Sequence, residues 1–325
     1  MIDPLDRWAA LGEKPDYAGL LTFAGAPYTE DPAELAGVDV AIIGAPMDDL
    51  VSDRPGARMA PRAIRAASSP PGPHLEVGVD ATAELRLVDF GDAAVMPADA
   101  RGSHAAIERV VGEALTAGAI PLVLGGDHSI TEPCVRACAA KHGPLGVVHF
   151  DTHTDSAEHV FGVEYSHGTF MRTLIEDGHV EPARYAQIGL RGYWPGEEDF
   201  AWQRERQITS LFAHDVRDLG IREVLARALA AVGEGPAYVT VDIDVLDPAF
   251  VPGTGTPEPG GLTTAELLWA AREAASRVEL VGADLVEVIP TAIGTADSSA
   301  LAGERTVREI LTGIAMRRLG VSATG

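Results

Sequence analysis

Apolar residues in this chain come in short unbroken runs closed by Gly or Asp. They are "VDVAIIGAP" (38–46), "LRLVDFGD" (85–92), "AIPLVLGGD" (119–127), "LGVVHFD" (145–151), "YAQIGLRG" (185–192), "AYVTVDID" (237–244) and "VELVGADLVEV" (278–288), with a weaker run at "ITSLFAHDV" (208–216). A strand with one face in water alternates apolar and polar positions, whereas a strand covered on both faces does not. The runs therefore predict buried strands of a parallel sheet. Between them the apolar positions return with helical period, as in "SHAAIERVVGEALTAG" (103–118), "REVLARALAAVGEG" (222–235), "TTAELLWAAREAASRV" (263–278) and "TVREILTGIAMRRLG" (306–320). Several of these segments open on Ser or Thr and close on Gly, as capping of helix ends requires. "TTAE" at 263–266 reads as a capping box. The alternation of strand and helix predicts an α/β fold with a mostly parallel sheet.

The loops "SSPPGP" (68–73) and "DPAFVPGTGTPEPGG" (247–261) are rich in Pro and Gly, and the length of the second marks it as a site loop. Its glycines do not open a helix directly after a strand, so it is no dinucleotide fingerprint. At 325 residues, a prior of about 150 residues per domain suggests roughly two domains, yet no linker or internal repeat marks a boundary. The net charge of −23, from 25 basic and 48 acidic residues, argues against nucleic acid as a partner, because phosphate binding needs basic patches. It suits a cationic substrate or a metal cation, although a solvated acidic surface accounts for most of the excess. Cys134 and Cys138 stand four apart in a predicted helix, with His142 one turn on. They read as reduced thiols on a buried face rather than a metal site, and fit a reducing compartment. The N-terminus lacks the basic and apolar regions of a signal peptide. No run approaches the roughly 18 apolar residues of a membrane helix. The expectation is a cytoplasmic protein with no membrane partner.

In open α/β sheets ligands bind at the carboxyl ends of the strands, and the chemistry of this sequence gathers there. "PLVLGGDHS" delivers Asp127 and His128; "GVVHFDTHTD" delivers Asp151, His153 and Asp155; "YVTVDIDVLDP" delivers Asp242, Asp244 and Asp247; "GADLVEV" delivers Glu287. Alternate residues of an extended segment point the same way. Asp151, His153 and Asp155 can then reach one point, as can Asp242 and Asp244. Carboxylates so close cannot all stay ionised without positive charge between them. Two divalent cations about 3.5–4 Å apart would supply it. The set is rich in oxygen and lacks thiolate, which favours Mn²⁺, with Ni²⁺ or Co²⁺ acceptable. A water between two such ions would ionise near neutral pH and act as the nucleophile. His167, in "YSHGTF", stands outside these clusters and could shuttle protons, although a lone His before Gly is more often structural. Arg54 and Arg58 could hold a carboxylate, but a tie between the first βα loop and the core is the better reading.

"GGDHS", "DTHTD", "HGT" and "VDIDVLDPAFVPGTGTPEPGG" together resemble the signatures of the ureohydrolase family, which includes arginase, agmatinase, guanidinobutyrase and proclavaminate amidinohydrolase. The resemblance runs from about residue 38 to 318, and "APMDDLVSDRPGAR" looks more like the agmatinase branch than arginase. It implies a single three-layer α/β/α domain around an eight-stranded, mostly parallel sheet. That domain would span 38–320, with 1–37 an N-terminal extension packed on it, and the chain would form homo-oligomers, trimers or hexamers. It implies hydrolysis of a guanidinium group to urea and an amine at two Mn²⁺ per subunit. By motif match His128, Asp151, Asp155 and Asp242 would hold one ion, and Asp151, His153, Asp242 and Asp244 the other. Asp155, His167 and Glu287 would form the catalytic set, with His167 the proton shuttle and Glu287 the grip on the guanidinium. Two departures stand out. Thr152 replaces the usual Ala between Asp151 and His153, and should point away from the metals. Ala292 and Ile293 replace the Tyr-Asp that many relatives carry after "EVIP". Agmatine is the leading substrate, ahead of 4-guanidinobutyrate, free guanidine or another small guanidine or biguanide. Two other classes are a weakly active or non-catalytic subunit that assembles with an active paralogue, and a dinuclear phosphatase or peptidase. The missing phosphate clamp weakens the phosphatase or peptidase reading.

Overall fold

The computed structural model describes residues 18–68, 72–291 and 297–321. Eight strands, β1 (Val40–Gly44), β2 (Leu87–Asp92), β3 (Ile120–Leu124), β4 (Leu145–Phe150), β5 (Val180–Leu190), β6 (Thr209–Phe212), β7 (Pro236–Asp242) and β8 (Glu279–Val286), form one sheet in the order β2-β1-β3-β8-β7-β4-β5-β6. Every pairing is parallel. The helices are α1 (Ala60–Ala67), α2 (Ala81–Glu84), α3 (Ala100–Ala117), α4 (Thr131–His142), α5 (Phe170–Glu176), α6 (Glu197–Glu205), α7 (Ala213–Leu219), α8 (Ile221–Val232), α9 (Thr264–Arg277) and α10 (Ser298–Leu319).

Successive strand residues feed opposite sides of the sheet. Ile42, Leu122, Leu124, Val148 and Phe150 join an apolar cluster with Ile64 of α1, Leu225 of α8, Leu267 of α9 and Ile310 of α10. Ile43, Val123 and Val147 join a second cluster with Ile107 of α3, Val135 of α4 and Leu174 of α5. Helices thus cover both faces, which is why the strands read as continuous apolar runs. One three-layer unit accounts for the described chain, so the length prior toward two domains fails. It fails because the eight strands share one sheet.

The boundaries differ from the sequence reading where polar caps decide them. The weak run at 208–216 splits into β6 and α7, because the Asp215 carboxylate accepts the Phe212 N–H at 2.7 Å and starts a helix. The helix expected at Ser103 starts at Ala100, capped by Asp99. The one expected at Thr306 starts at Ser298, capped by Asp297. The capping box of Thr263 and Glu266 on α9 forms as read. Cys134 and Cys138 are free and buried on α4, with the Cys138 thiol facing the Val281 carbonyl at 3.6 Å. His142 is exposed at the end of that helix. No described helix is long and apolar enough to cross a membrane. Ala292 and Ile293 lie outside the described residues, as do residues 1–17 of the expected extension.

For the site, the decisive feature is the middle of the sheet. β3, β8, β7 and β4 are neighbours, so four strand ends far apart in the chain lie side by side.

Candidate active site

The turn after β3 brings the first imidazole in. Gly126 has to be glycine, since a Cβ there would sit 1.6 Å from the Met47 carbonyl oxygen. This contact seats the Asp127–His128 turn against the loop after β1. His128 Nδ1 then lies 3.1 Å from Asp151 Oδ2, 3.0 Å from Asp155 Oδ2 and 3.2 Å from Asp242 Oδ2. All four residues are buried. Despite these distances Nδ1 makes no hydrogen bond. On the other side, His153 Nδ1 lies 3.1 Å from Asp244 Oδ2 and 3.6 Å from Asp151 Oδ1. Asp151 thus faces both imidazoles, one with each oxygen.

Convergence comes from turns rather than from strand alternation. β4 ends at Phe150. The His153 N–H bonds Asp151 Oδ1 at 2.5 Å, and the Asp244 N–H bonds Asp242 Oδ1 at 2.7 Å. In each case an aspartate side chain closes its own turn two residues on. Asp155 and Glu287 adopt left-handed backbone, with φ of 45° and 61°, a conformation costly for residues other than Gly and held only by surrounding structure. Asp151 and His153, and Asp242 and Asp244, are thus gathered by turns and not by alternation along an extended segment. Thr152 is buried and gives its N–H to Asp244 Oδ1 at 3.2 Å.

Glu287 follows β8, and its N–H is tied to the Gly126 carbonyl at 2.8 Å. Its Oε1 accepts the His128 N–H at 2.9 Å and bonds His167 Nδ1 at 2.8 Å. Its Oε2 is buried and has no partner. On the other edge of the His167 ring, Nε2 accepts the Ser52 N–H at 3.1 Å and lies 2.8 Å from the Ser52 hydroxyl. Burial pulls the His167 imidazole down, but Glu287 outweighs it and raises the group to about 9. A cavity of about 300 Å³ opens over this cluster, lined by His153, Asp155, His167, Val160, Phe161 and Trp194 among others. The Trp194 ring stands edge-on to His153, 5.9 Å between centroids. A larger cavity of about 460 Å³, between residues 72–76 and α10, holds none of these groups.

Among the described residues, no Lys or Arg forms an ion pair with Asp151, Asp155, Asp242, Asp244 or Glu287; only histidines do. Burial, and after it the charges of Asp244 and Asp151, push the Asp242 carboxyl well up. So much buried negative charge calls for cations from outside. The donors fit divalent ions: hard carboxylate oxygens, two imidazoles, and an Nδ1 atom held among three oxygens with no hydrogen bond of its own.

Other candidates separate from this group. Asp247 caps its own loop, accepting the Ala249 and Gly260 N–H groups at 2.9 and 2.7 Å. Asp127 accepts the Leu50 N–H at 3.0 Å. Burial, then the charge of Glu287, raises it to about 6. Arg58 pairs with Asp48 and Asp49 of its own loop, while Arg54 is exposed beside Asp53. The sequence reading missed Arg191, which donates to the carbonyls of Gly189, Asp244, Val245, Leu246 and Glu258 and so clamps the long site loop to the Asp244 turn. It also missed His149, whose Nε2 lies 2.9 Å from Asp151 Oδ2. Its only sequence signal was a histidine two positions before the first aspartate.

The Arginase family profile matches residues 38–313. This chain belongs to the arginase family. Among curated members it is 42% identical to a guanidinopropionase of Pseudomonas aeruginosa, over 95% of this chain and 94% of that one. To an agmatinase of Chromobacterium violaceum it is 39% identical, over 85% and 83%. The solved structure of proclavaminate amidino hydrolase from Streptomyces clavuligerus superposes with a TM-score of 0.86 at 38% identity, covering 94% of this chain and all of that one. The family's α/β fold, with its single parallel eight-stranded sheet, is the one described above.

Proposed function

We propose that this arginase-family enzyme hydrolyses the guanidinium group of a small substrate, releasing urea and an amine. The unpartnered Oε2 of Glu287 carries this reading. A fully buried carboxylate oxygen without a donor is costly, and a planar guanidinium offers the donor it lacks. In this reading His128, Asp151, Asp155 and Asp242 hold one divalent ion, and Asp151, His153, Asp242 and Asp244 the second, with Mn²⁺ favoured by the oxygen-rich set. Such a pair, when bound, supplies Lewis acidity and a nucleophilic water at neutral pH. Glu287 orients the substrate through the same carboxylate that holds His167. His167, at the cavity wall, hands a proton to the leaving amine.

Agmatine leads as substrate. None of the described residues lining the cavity is Lys or Arg, so the wall offers the carboxylate tail of a guanidino acid no fixed cation. A cationic tail also suits the acidic field of the chain. The similarity to a guanidinopropionase keeps guanidino acids such as 4-guanidinobutyrate as the second reading. The test is urea release from agmatine, 4-guanidinobutyrate, 3-guanidinopropionate, free guanidine and a biguanide, each with Mn²⁺, Ni²⁺ or Co²⁺. Agmatine should give the highest kcat/KM. Urea from none of them would sink the proposal, and preference for an acid would move the assignment to the second reading.

A further inference from the structure

One row of residues crosses the sheet directly behind the candidate site and is polar where its neighbours are apolar. Asp284 of β8 stands opposite Thr240 of β7. Thr240 stands opposite His149 of β4, and His149 opposite Gln187 of β5. All four are fully buried. Asp284 accepts three hydroxyls, from Thr240 at 2.6 Å, Thr131 at 2.8 Å and Tyr238 at 2.8 Å, and forms no ion pair with Lys or Arg among the described residues. It resembles the metal-facing carboxylates in having no cation of its own, yet it does not reach the His128–Asp151–Asp242 group.

Burial raises the Asp284 carboxyl, and the three hydroxyls that surround it favour its ionised form. As a carboxylate it only accepts, so the Thr240 hydroxyl hydrogen points at Asp284. The Thr240 oxygen is then left to accept from His128 Nε2, 2.9 Å away. Nε2 must therefore carry hydrogen, and Nδ1 is left to present its lone pair to the three carboxylate oxygens around it. We propose that Asp284, acting through Thr240, is a positioning residue that fixes the tautomer and aim of His128 for a divalent cation. The proposal rests on the dinuclear reading given above. It concerns the ion bound by His128 and leaves the ion bound by His153 unaffected, because the Asp284–Thr240 chain touches neither His153 nor Asp244.

Thr240→Val removes the hydroxyl at nearly constant volume, Thr240→Ser keeps it, and Asp284→Asn turns the acceptor into a partial donor. Mn²⁺ affinity and content are measured by chelator competition and elemental analysis on folded protein. Partners of this kind set metal affinity by about 10–100-fold. Thr240→Val and Asp284→Asn should weaken one of the two ions by that factor and retain one ion per subunit after dialysis. Added Mn²⁺ should restore turnover, and Thr240→Ser should behave as wild type. If Asp284→Asn does not fold, the contrast between Val and Ser at position 240 still decides. Wild-type affinity for both ions in Thr240→Val, or equal weakening in Val and Ser, would overturn the relay. A wild-type protein that binds no Mn²⁺ would instead overturn the dinuclear reading itself.

Discussion

Two groups of charge centred on buried carboxylates are built alike and balanced differently. At the sheet edge, the Arg65 guanidinium bonds both oxygens of the buried Asp89 at 2.8 and 2.9 Å and the exposed Asp92 at 2.6 Å, and Asp89 also accepts the Phe23 N–H at 2.8 Å. That group contains its own cation and ties the chain around Phe23 and helix α1 to strand β2. In the middle of the sheet, Asp151, Asp155, Asp242, Asp244 and Glu287 are equally buried, but their only ion-pair partners among the described residues are histidines. The same physics gives opposite meanings. A buried carboxylate with an internal guanidinium is a brace; a cluster of them without one is a socket for cations.

The comparison can be broken by mutation at either end. The largest effect is expected from Asp242→Asn, which should remove both divalent ions and nearly all turnover while leaving the fold. Metal analysis on the folded variant checks it, and two ions retained would place Asp242 outside the socket. Next is Arg65→Ala, which leaves Asp89 buried and unpaired and should cost about 3–5 kcal/mol of stability. Its folded fraction should keep wild-type metal content and specific activity; denaturant unfolding with activity on the same sample separates the two. Glu287→Gln keeps the Oε1 acceptor for His128 and His167 but replaces the free oxygen with an amide. It should retain metals and fold and lose about 2–4 kcal/mol of transition-state stabilisation, read as kcat/KM. The smallest effect belongs to the exposed pair of Arg204 and Glu197, where Arg204→Ala should shift stability by less than about 1 kcal/mol. A larger loss there would mean that burial is the wrong axis for the comparison.

Much of this was legible in the sequence, because burial on both faces writes itself as unbroken apolar runs. Seven strands could be read that way, the half-buried β6 giving only a weak run, and the acidic clusters announced themselves at the ends of β3, β4, β7 and β8. What was not legible depends on which strand lies beside which. Thr240 and Asp284 look like polar interruptions in two strands until the register sets them opposite each other. Arg191 looks like any residue after a strand until the long loop folds back over it. Helix starts at Ala100 and Ser298 were missed because aspartate caps lay upstream of the apolar period. The turns that gather Asp151 with His153, and Asp242 with Asp244, are made by side chains bonding backbone, which a strand-period argument does not contain.

The socket account is tested most directly by metal stoichiometry. The purified protein is loaded with Mn²⁺ and freed of excess by gel filtration, and metal per subunit is measured on the same sample that is assayed for urea release. The account predicts two ions per subunit, with activity rising and falling with the content. Full activity with one ion or none would contradict it.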